Sequence, residues 1–278
     1  MRISYILLRK IRFQVLLLMG FFPALVVCGD IPADADDQIA QWGFPVGEEL
    51  VYRAYWGAIP VGESIVRTGW KEGAEGELLH LKLEVRSNRA IAMVYPVSID
   101  VETIVRVKDF LPIRHTQRRR EGRRRAQVTV DFDYEKGIAV QHEVLRRRKT
   151  EIPLEDDTRD IFTFLYYVRR YPMALGNKAH YRVLTDDRIY DLWLNVADEE
   201  VMVSSVLDGD VAAFDVEPEA AFEGVFRRHG RLDLHVSRDV RQLMLFMRAN
   251  IPVGSVRTVL QEVRGPGSDR WGMLDGDD

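Results

Sequence analysis

From Val46 to Val263 the chain is written almost throughout in short runs where apolar and polar residues alternate, each closed by Gly, Pro, Asn or Asp. ELVYRAYWGAI, LLHLKLEVRS, VSIDVETIVRV and RRAQVTVDFDY are such runs, and KEGAEGE and KDFLP are turn signals between them. A period of two places every second side chain on one face of a strand. Many short strands at this spacing predict a mainly β fold, an antiparallel curved sheet or barrel-like structure.

One stretch departs from the pattern, EDDTRDIFTFLYYVRRYPMALGN. Asp157 or Thr158 can cap a helix there, Arg169 and Arg170 suit its last turn, and Pro172 and Gly176 end it. Ile161, Leu165 and Val168 form one apolar stripe, which Phe162, Phe164, Tyr166 and Tyr167 widen around the cylinder. A helix apolar on most sides is buried on most sides. The expectation is one central helix packed into the concave face of the sheet, within a single domain spanning residues 46–264.

The N-terminus sets the compartment. Arg2, Arg9, Lys10 and Arg12 precede the uncharged apolar run Phe13 to Val27, 15 residues long. A spanning helix needs about 20 apolar residues, so the run reads as the core of an export signal, with cleavage before Asp30. Cys28 after the run offers lipidation as a lesser alternative, although Val27 fits poorly before a lipidated cysteine. The protein is therefore expected to be exported to the periplasm, with an outer-membrane lipoprotein as the minority reading. Residues 30–45 (DIPADADDQIAQWGFP) read as a flexible acidic spacer and 265–278 as a loose tail.

Removing residues 1–29 takes away four basic residues and no acidic one, leaving 35 basic against 43 acidic side chains, a net charge of −8. Nucleic-acid-binding domains are basic, so a nucleic-acid partner is not expected. Cys28 is the only cysteine, which leaves the folded part without a disulfide, a thiolate metal site or a thiol nucleophile. The six histidines make no HExxH and no convincing ligand spacing, and there is no GxSxG, phosphate loop or GxGxxG. Neither a metal nor a cofactor is predicted.

Against this acidic background RRREGRRR, Arg118 to Arg125, holds six arginines in eight positions. DFDYEKGIAV suggests a hairpin with a three-residue loop, Glu135 to Gly137, pairing Phe132 with Val140 and Val130 with His142. Carried outward, that register sets Arg123, Arg124 and Arg125 opposite Lys149, Arg148 and Arg147. Like charges directly opposite cost roughly 0.2–1 kcal/mol per pair. Either glutamates such as Glu121 and Glu143, with water and salt, screen a solvated strand end, or these six residues form an anion site.

For catalysis the candidates are Asp160, in the first turn of the helix, and Asp239 in HVSRDVRQL. A buried carboxylate pair can do acid–base work; the plainer reading is a cap and a turn residue.

Three stretches carry a resemblance: VGEELVYRAYWGAIPVGES, DIFTFLYYVRRYPMALGN and HVSRDVRQLMLFMRANIPVGSVRTVL, in that order. They resemble domain of unknown function 3108, a group of exported bacterial proteins without an assigned activity. The helix pattern D-x-x-[ST]-x-x-Y-x-x-R is met by Asp160, Thr163, Tyr166 and Arg169, and the opening by Gly47, Glu48, Leu50 and Tyr52. Leu243-Met244 departs from the pattern, which often has a proline there. The resemblance implies a barrel-like β fold around a helix in the cell envelope, and no reaction.

The functional expectation is a non-catalytic envelope protein that binds an amphiphilic or anionic ligand, a lipid or acidic glycan, or meets an envelope protein during assembly. Tyr52, Trp56, Trp70, Asp160, Thr163, Tyr166 and Arg169 are the candidate pocket residues. The competing class is a hydrolase of envelope material using Asp160 or Asp239.

Overall fold

The computed structural model describes residues 34–205, 209–220, 232–251 and 254–269. The signal segment, Cys28 and residues 270–278 lie outside them. A short helix, α1 (Ala35–Trp42), leads into β1 (Glu49–Trp56), β2 (Ile59–Trp70) and β3 (Leu78–Ser87). A second helix, α2 (Arg89–Val94), precedes β4 (Val97–Arg106), β5 (Leu111–Glu121) and β6 (Arg124–Asp133). Then come β7 (Ile138–Glu143), β8 (Arg148–Pro153), the two-residue β9 (Arg159–Asp160) and α3 (Ile161–Tyr167), which runs on as a 3-10 turn. The chain closes with β10 (Lys178–Thr185), β11 (Arg188–Ser205), β12 (Gly209–Ala220), β13 (Leu232–Ser237), β14 (Met244–Ile251) and β15 (Gly254–Arg264).

All fifteen strands among the described residues belong to one sheet, in the order β8-β7-β6-β5-β4-β3-β2-β1-β15-β14-β13-β12-β11-β10-β9. Every pairing is antiparallel except that of β9 with β10. The mainly β, antiparallel, barrel-like expectation is what the structure has, and the sheet is not closed. Its two edge strands, β8 and β9, are consecutive in the chain, joined by residues 154–158. Flat, fifteen strands would hold the edges about 67 Å apart at 4.8 Å per strand. Five connecting residues reach only about 20 Å. The sheet must therefore roll up, and Leu184 of β10 duly packs among Val130, Phe132 and Ile152 of the opposite edge region.

The roll closes on α3. Phe162 and Tyr166 pack against Leu79, Leu81 and Val101 of the first half. Phe164 and Val168 pack against Val183, Leu192 and Val216 of the second half. A helix of seven residues is too short to persist alone, so this two-sided burial holds it, at about 1.5–3 kcal/mol for each large side chain. The cap is Asp160, not Asp157 or Thr158: its carboxylate accepts from Phe162 N at 3.0 Å and Thr163 N at 3.1 Å.

Three expectations are corrected. The stretch read as a spacer is part of the fold, since Ala35–Trp42 is helical and Trp42 and Phe44 sit in the core. Its acidic composition belongs to the cap and first turn of α1, where Asp34 accepts from Asp37 N. The start of the tail is also engaged, for Gly267 O accepts from Arg241 Nη1. The third correction is the β6–β7 register, one residue off the expected one: Phe132 pairs with Ala139 and Val130 with Gln141. Asp133 accepts from Lys136 N at 3.0 Å, and Tyr134 leaves the ladder to donate to Thr158 O at 2.8 Å. The loop thereby takes four residues, with Gly137 at φ 63°. β7 then stops at Glu143, and the chain turns through Arg147 at φ 52° into β8. The expected facing of Arg123–Arg125 with Arg147–Lys149 does not occur.

Candidate functional site: a cavity between the sheet and the central helix

The inner face of the first half-sheet can be read row by row from the strand register. Deepest lie Leu79 and Val105, with Phe132, Ala139 and Ile152 further along. The next row is Leu81, Thr103, His115, Val130 and Gln141. Above it run Leu83, Val101, Gln117, Val128, Glu143 and Arg148. The outermost row is Val85, Ile99, Arg119 and Ala126. On β3 and β4 the wall stays apolar out to Val85 and Ile99, whereas on β5 it turns polar and then charged through His115, Gln117 and Arg119, and on β7 and β8 through Gln141, Glu143 and Arg148. This wall borders a cavity of about 610 Å³, inside the range of about 300–1,000 Å³ typical of small-molecule sites. Ile161, Phe162 and Leu165 of α3, with Leu184 and Thr185 at the end of β10 and Asp186 and Asp187 of the turn after it, also line the cavity.

A buried polar network forms part of its wall. Asp160 Oδ1 lies 3.1 Å from His115 Nδ1, Thr163 Oγ1 donates to Asp160 Oδ2 at 2.5 Å, and Thr103 Oγ1 is 2.9 Å from His115 Nδ1. Burial by itself would raise the Asp160 carboxyl; the His115 charge and the hydrogen bonds from His115 and Thr163 outweigh it and hold the group below the usual aspartate range. Gln141 is also buried, and its Oε1 has no hydrogen-bond partner among the described residues. An unsatisfied buried acceptor on a cavity wall costs about 1–3 kcal/mol unless something entering the cavity donates to it.

The rim is basic with acidic interruptions. Arg119, Arg125, Arg146 and Arg148 line it together with Glu143, Asp186 and Asp187. Glu143 takes ion pairs from Arg146 and Arg148, at 3.0 and 2.6 Å. Across the β5–β6 hairpin Arg120 stands opposite Arg125 and Glu121 opposite Arg124. A like-charge pairing therefore exists, though inside RRREGRRR and not between it and β8. Arg123, Arg124, Arg147 and Lys149 are exposed and lie outside the cavity lining.

Of the seven candidate pocket residues, the cavity takes only Asp160. Tyr52 is buried with Leu245 and Leu260 in another part of the core, Trp70 packs edge-on against Trp42, and Trp56 is largely exposed on the β1–β2 hairpin. Thr163 braces Asp160 from within the helix. Tyr166 is buried, its hydroxyl without a partner among the described residues. Asp239, the second catalytic candidate, accepts from Ser237 Oγ at 2.5 Å in the β13–β14 turn and does not line the cavity.

Arg169 points elsewhere, into a fully buried cluster. Its guanidinium forks onto Glu48, Nη1 to Oε1 at 2.6 Å and Nη2 to Oε2 at 2.9 Å, and Arg241 Nη2 adds a third bond to Oε2 at 2.6 Å. Nε of Arg169 donates to Arg241 O at 2.9 Å and Nη2 to Gly43 O at 2.8 Å. Burial would raise the Glu48 carboxyl, but the two guanidinium charges and their hydrogen bonds hold it below its ordinary value. Glu48 and Arg241 are missed by a search for catalytic motifs. Glu48 immediately precedes β1 and Arg241 lies in the β13–β14 turn, so strand periodicity marks neither.

A family model described as a protein of unknown function, DUF3108, matches residues 51–261. The chain belongs to the DUF3108 family. Glu48 from the opening stretch, Arg169 from the helix and Arg241 from the closing stretch meet in one cluster, so the segments that resemble DUF3108 converge on an internal lock. No curated protein matches the sequence. Among solved structures, the β-barrel-like DUF1849 protein from Brucella abortus is 10% identical, covering 78% of this DUF3108 chain and 97% of its own, with a TM-score of 0.53. That likeness shows the fold alone. A DUF1089 protein from Pseudomonas aeruginosa is 13% identical, covering 68% and 90%, at a TM-score of 0.37. A Bacteroides fragilis protein described as exported, with a YmcC-like fold, is 8% identical, covering 79% and 96%, at 0.30.

Proposed function

We propose that this DUF3108 protein is a non-catalytic, exported binding module that holds an amphiphile with an anionic head. The observation that carries the reading is that one cavity joins an apolar wall, Leu83, Val85, Ile99, Val101, Val128 and Phe132, to a charged rim that includes Arg119, Arg125 and Arg148. An apolar tail would lie along Leu83, Val101, Val128 and Leu165, and its head would meet arginine forks suited to carboxylate or phosphate. Gln141 would find a donor in a polar group of the ligand. Export rests on the N-terminal apolar run, and the compartment is the cell envelope.

The non-catalytic part of the reading is supported by what Asp160 already does. Its two oxygens take the α3 cap, Thr163 and His115, and Asp239 belongs to a separate turn. The test is native mass spectrometry of residues 30–278 incubated with palmitate or lysophosphatidylglycerol. Beside the wild type run Leu165→Arg, which plugs the cavity from an already half-exposed position, and Arg119→Gln/Arg125→Gln. A one-to-one adduct lost in the plug variant and weakened at least tenfold in the arginine variant is the expected result. No adduct, or an adduct indifferent to both changes, overturns the proposal.

A further inference from the structure

Large apolar side chains are exposed very unevenly. Eleven are exposed among the described residues. Seven of them sit in three turns at one end of the sheet: Trp56 and Ile59 between β1 and β2, Met93 to Tyr95 between β3 and β4, and Val144 and Leu145 between β7 and β8. In a meander of consecutive hairpins, alternate turns fall at the same end. The fourth turn of the first half-sheet at this end, between β5 and β6, is the arginine stretch, and the β10–β11 turn with Asp186 and Asp187 lies at the same end. The arginine stretch is physically joined to the apolar turn beside it: Gly122 N donates to Pro96 O at 2.8 Å, and a Cβ on Gly122 would come within 2.8 Å of the Tyr95 ring. Met93 and Val94 project beyond it, 79% and 88% exposed.

The charges here are also unspent. Arg118, Arg120, Arg123, Arg124 and Arg125 make no ion pair among the described residues, although Arg118 and Arg124 stand opposite Asp100 and Glu121 in the ladder, and of the tract Arg119 alone comes within 4.0 Å of a carboxylate there, Glu121 at 3.7 Å. The opposite end is unlike it. Its turns in the first half of the sheet, residues 71–77, 107–110 and 134–137, mix Glu72, Glu75, Glu77, Asp109 and Glu135 with Lys71, Lys108 and Lys136 and expose no large apolar side chain. A polar tip would have satisfied folding at both ends equally.

We infer that this end of the sheet docks on an anionic lipid bilayer, with the apolar turn residues entering the headgroup region and the arginine hairpin lying on the phosphates. Aromatic and aliphatic side chains interspersed with arginines are the composition of an interfacial anchor, and each arginine near an anionic surface adds about 1 kcal/mol of attraction. A protein partner would have to offer carboxylates interleaved with apolar pockets across three separate turns; a lipid surface offers both everywhere. The docking goes beyond the ligand reading and stands whether or not the cavity is filled. The two agree in geometry, because Arg119, Arg125, Leu145 and Arg146 place the cavity mouth at this same end.

The test is flotation of residues 30–278, which keep every described element, with vesicles of phosphatidylcholine alone or mixed with phosphatidylglycerol. Partition onto the mixed vesicles only, released when salt rises from about 0.1 to 0.5 M, is the expected result. Arg123→Gln/Arg124→Gln, outside the cavity lining, should weaken it roughly thirtyfold, and Met93→Ser/Val94→Ser about tenfold or more. Glu72→Gln/Glu75→Gln at the far end should leave it unchanged. No partition, equal partition onto neutral vesicles, or indifference to both docking-end variants overturns the inference. Adduct formation in the mass-spectrometric experiment is read separately, so failure of either proposal leaves the other measurable.

Discussion

Glu48 and Glu49 are adjacent, chemically identical and each bonded to two arginines, yet their removal should differ several-fold in cost. Glu48 holds Arg169 and Arg241 where none of the three is appreciably exposed. Glu49 holds Arg67 and Arg264 at 2.5 and 2.7 Å, but those arginines are 35% and 51% exposed. Glu48→Gln removes the one carboxylate that, among the described residues, faces the two buried guanidinium groups, and turns an amide N–H toward one of them. Breaking a buried pair in this way costs about 3–5 kcal/mol, a large part of a typical total of about 5–15 kcal/mol. Glu49→Gln lets water replace what is lost and should cost under about 1 kcal/mol. Urea unfolding followed by tryptophan fluorescence reads both, since Trp42 and Trp70 pack together in the core. With a slope of about 3 kcal/mol per molar urea, Glu48→Gln should lower the midpoint by about 1–1.7 M and Glu49→Gln by under about 0.3 M. The lowered Glu48 pKa fixes the sign with pH: its contribution is fully present above the ordinary glutamate value and is lost as pH falls through the folded one. The gap between wild type and Glu48→Gln should therefore narrow on acidification. Equal midpoint shifts for the two variants would refute the argument that burial, and not the number of partners, sets the cost.

Asp160→Asn keeps a side chain able to cap α3 but loses the charge facing His115. Because the folded Asp160 pKa is lowered, its stabilisation is present above the ordinary aspartate value and vanishes as pH falls through the folded one, so the variant should show a shallower acid-unfolding limb by circular dichroism. Gly43 ends α1 at φ 74°, where an added Cβ would fall 2.2 Å from Arg169 O. Gly43→Ala should thus cost more than the roughly 1–2 kcal/mol of a left-handed alanine and should lower the thermal midpoint.

The sequence by itself determined the class of the fold and the place of its one central helix, because both follow from local periodicity. Alternation in runs such as LLHLKLEVRS becomes strand with one face inward, and a segment apolar all round, DIFTFLYYV, has to be buried from two sides. Arginine accumulation in Arg118–Arg125 was likewise plain, but its partner strand was not. The tertiary structure moved the β6–β7 register by one residue, because Asp133 bonds Lys136 N and Tyr134 is drawn out of the ladder to Thr158. Neither contact alters the hydrophobic pattern. Tertiary structure also turned the motif residue Arg169 from a pocket candidate into a lock, and set Trp56, Met93, Val94 and Leu145 on one end with the arginines. Glu48 meets Arg169 across 121 positions and Arg241 across 193. Periodicity says which side of its own element a residue faces; which distant charge awaits it there depends on how the sheet rolls, and that was settled by the five-residue link between its two edges.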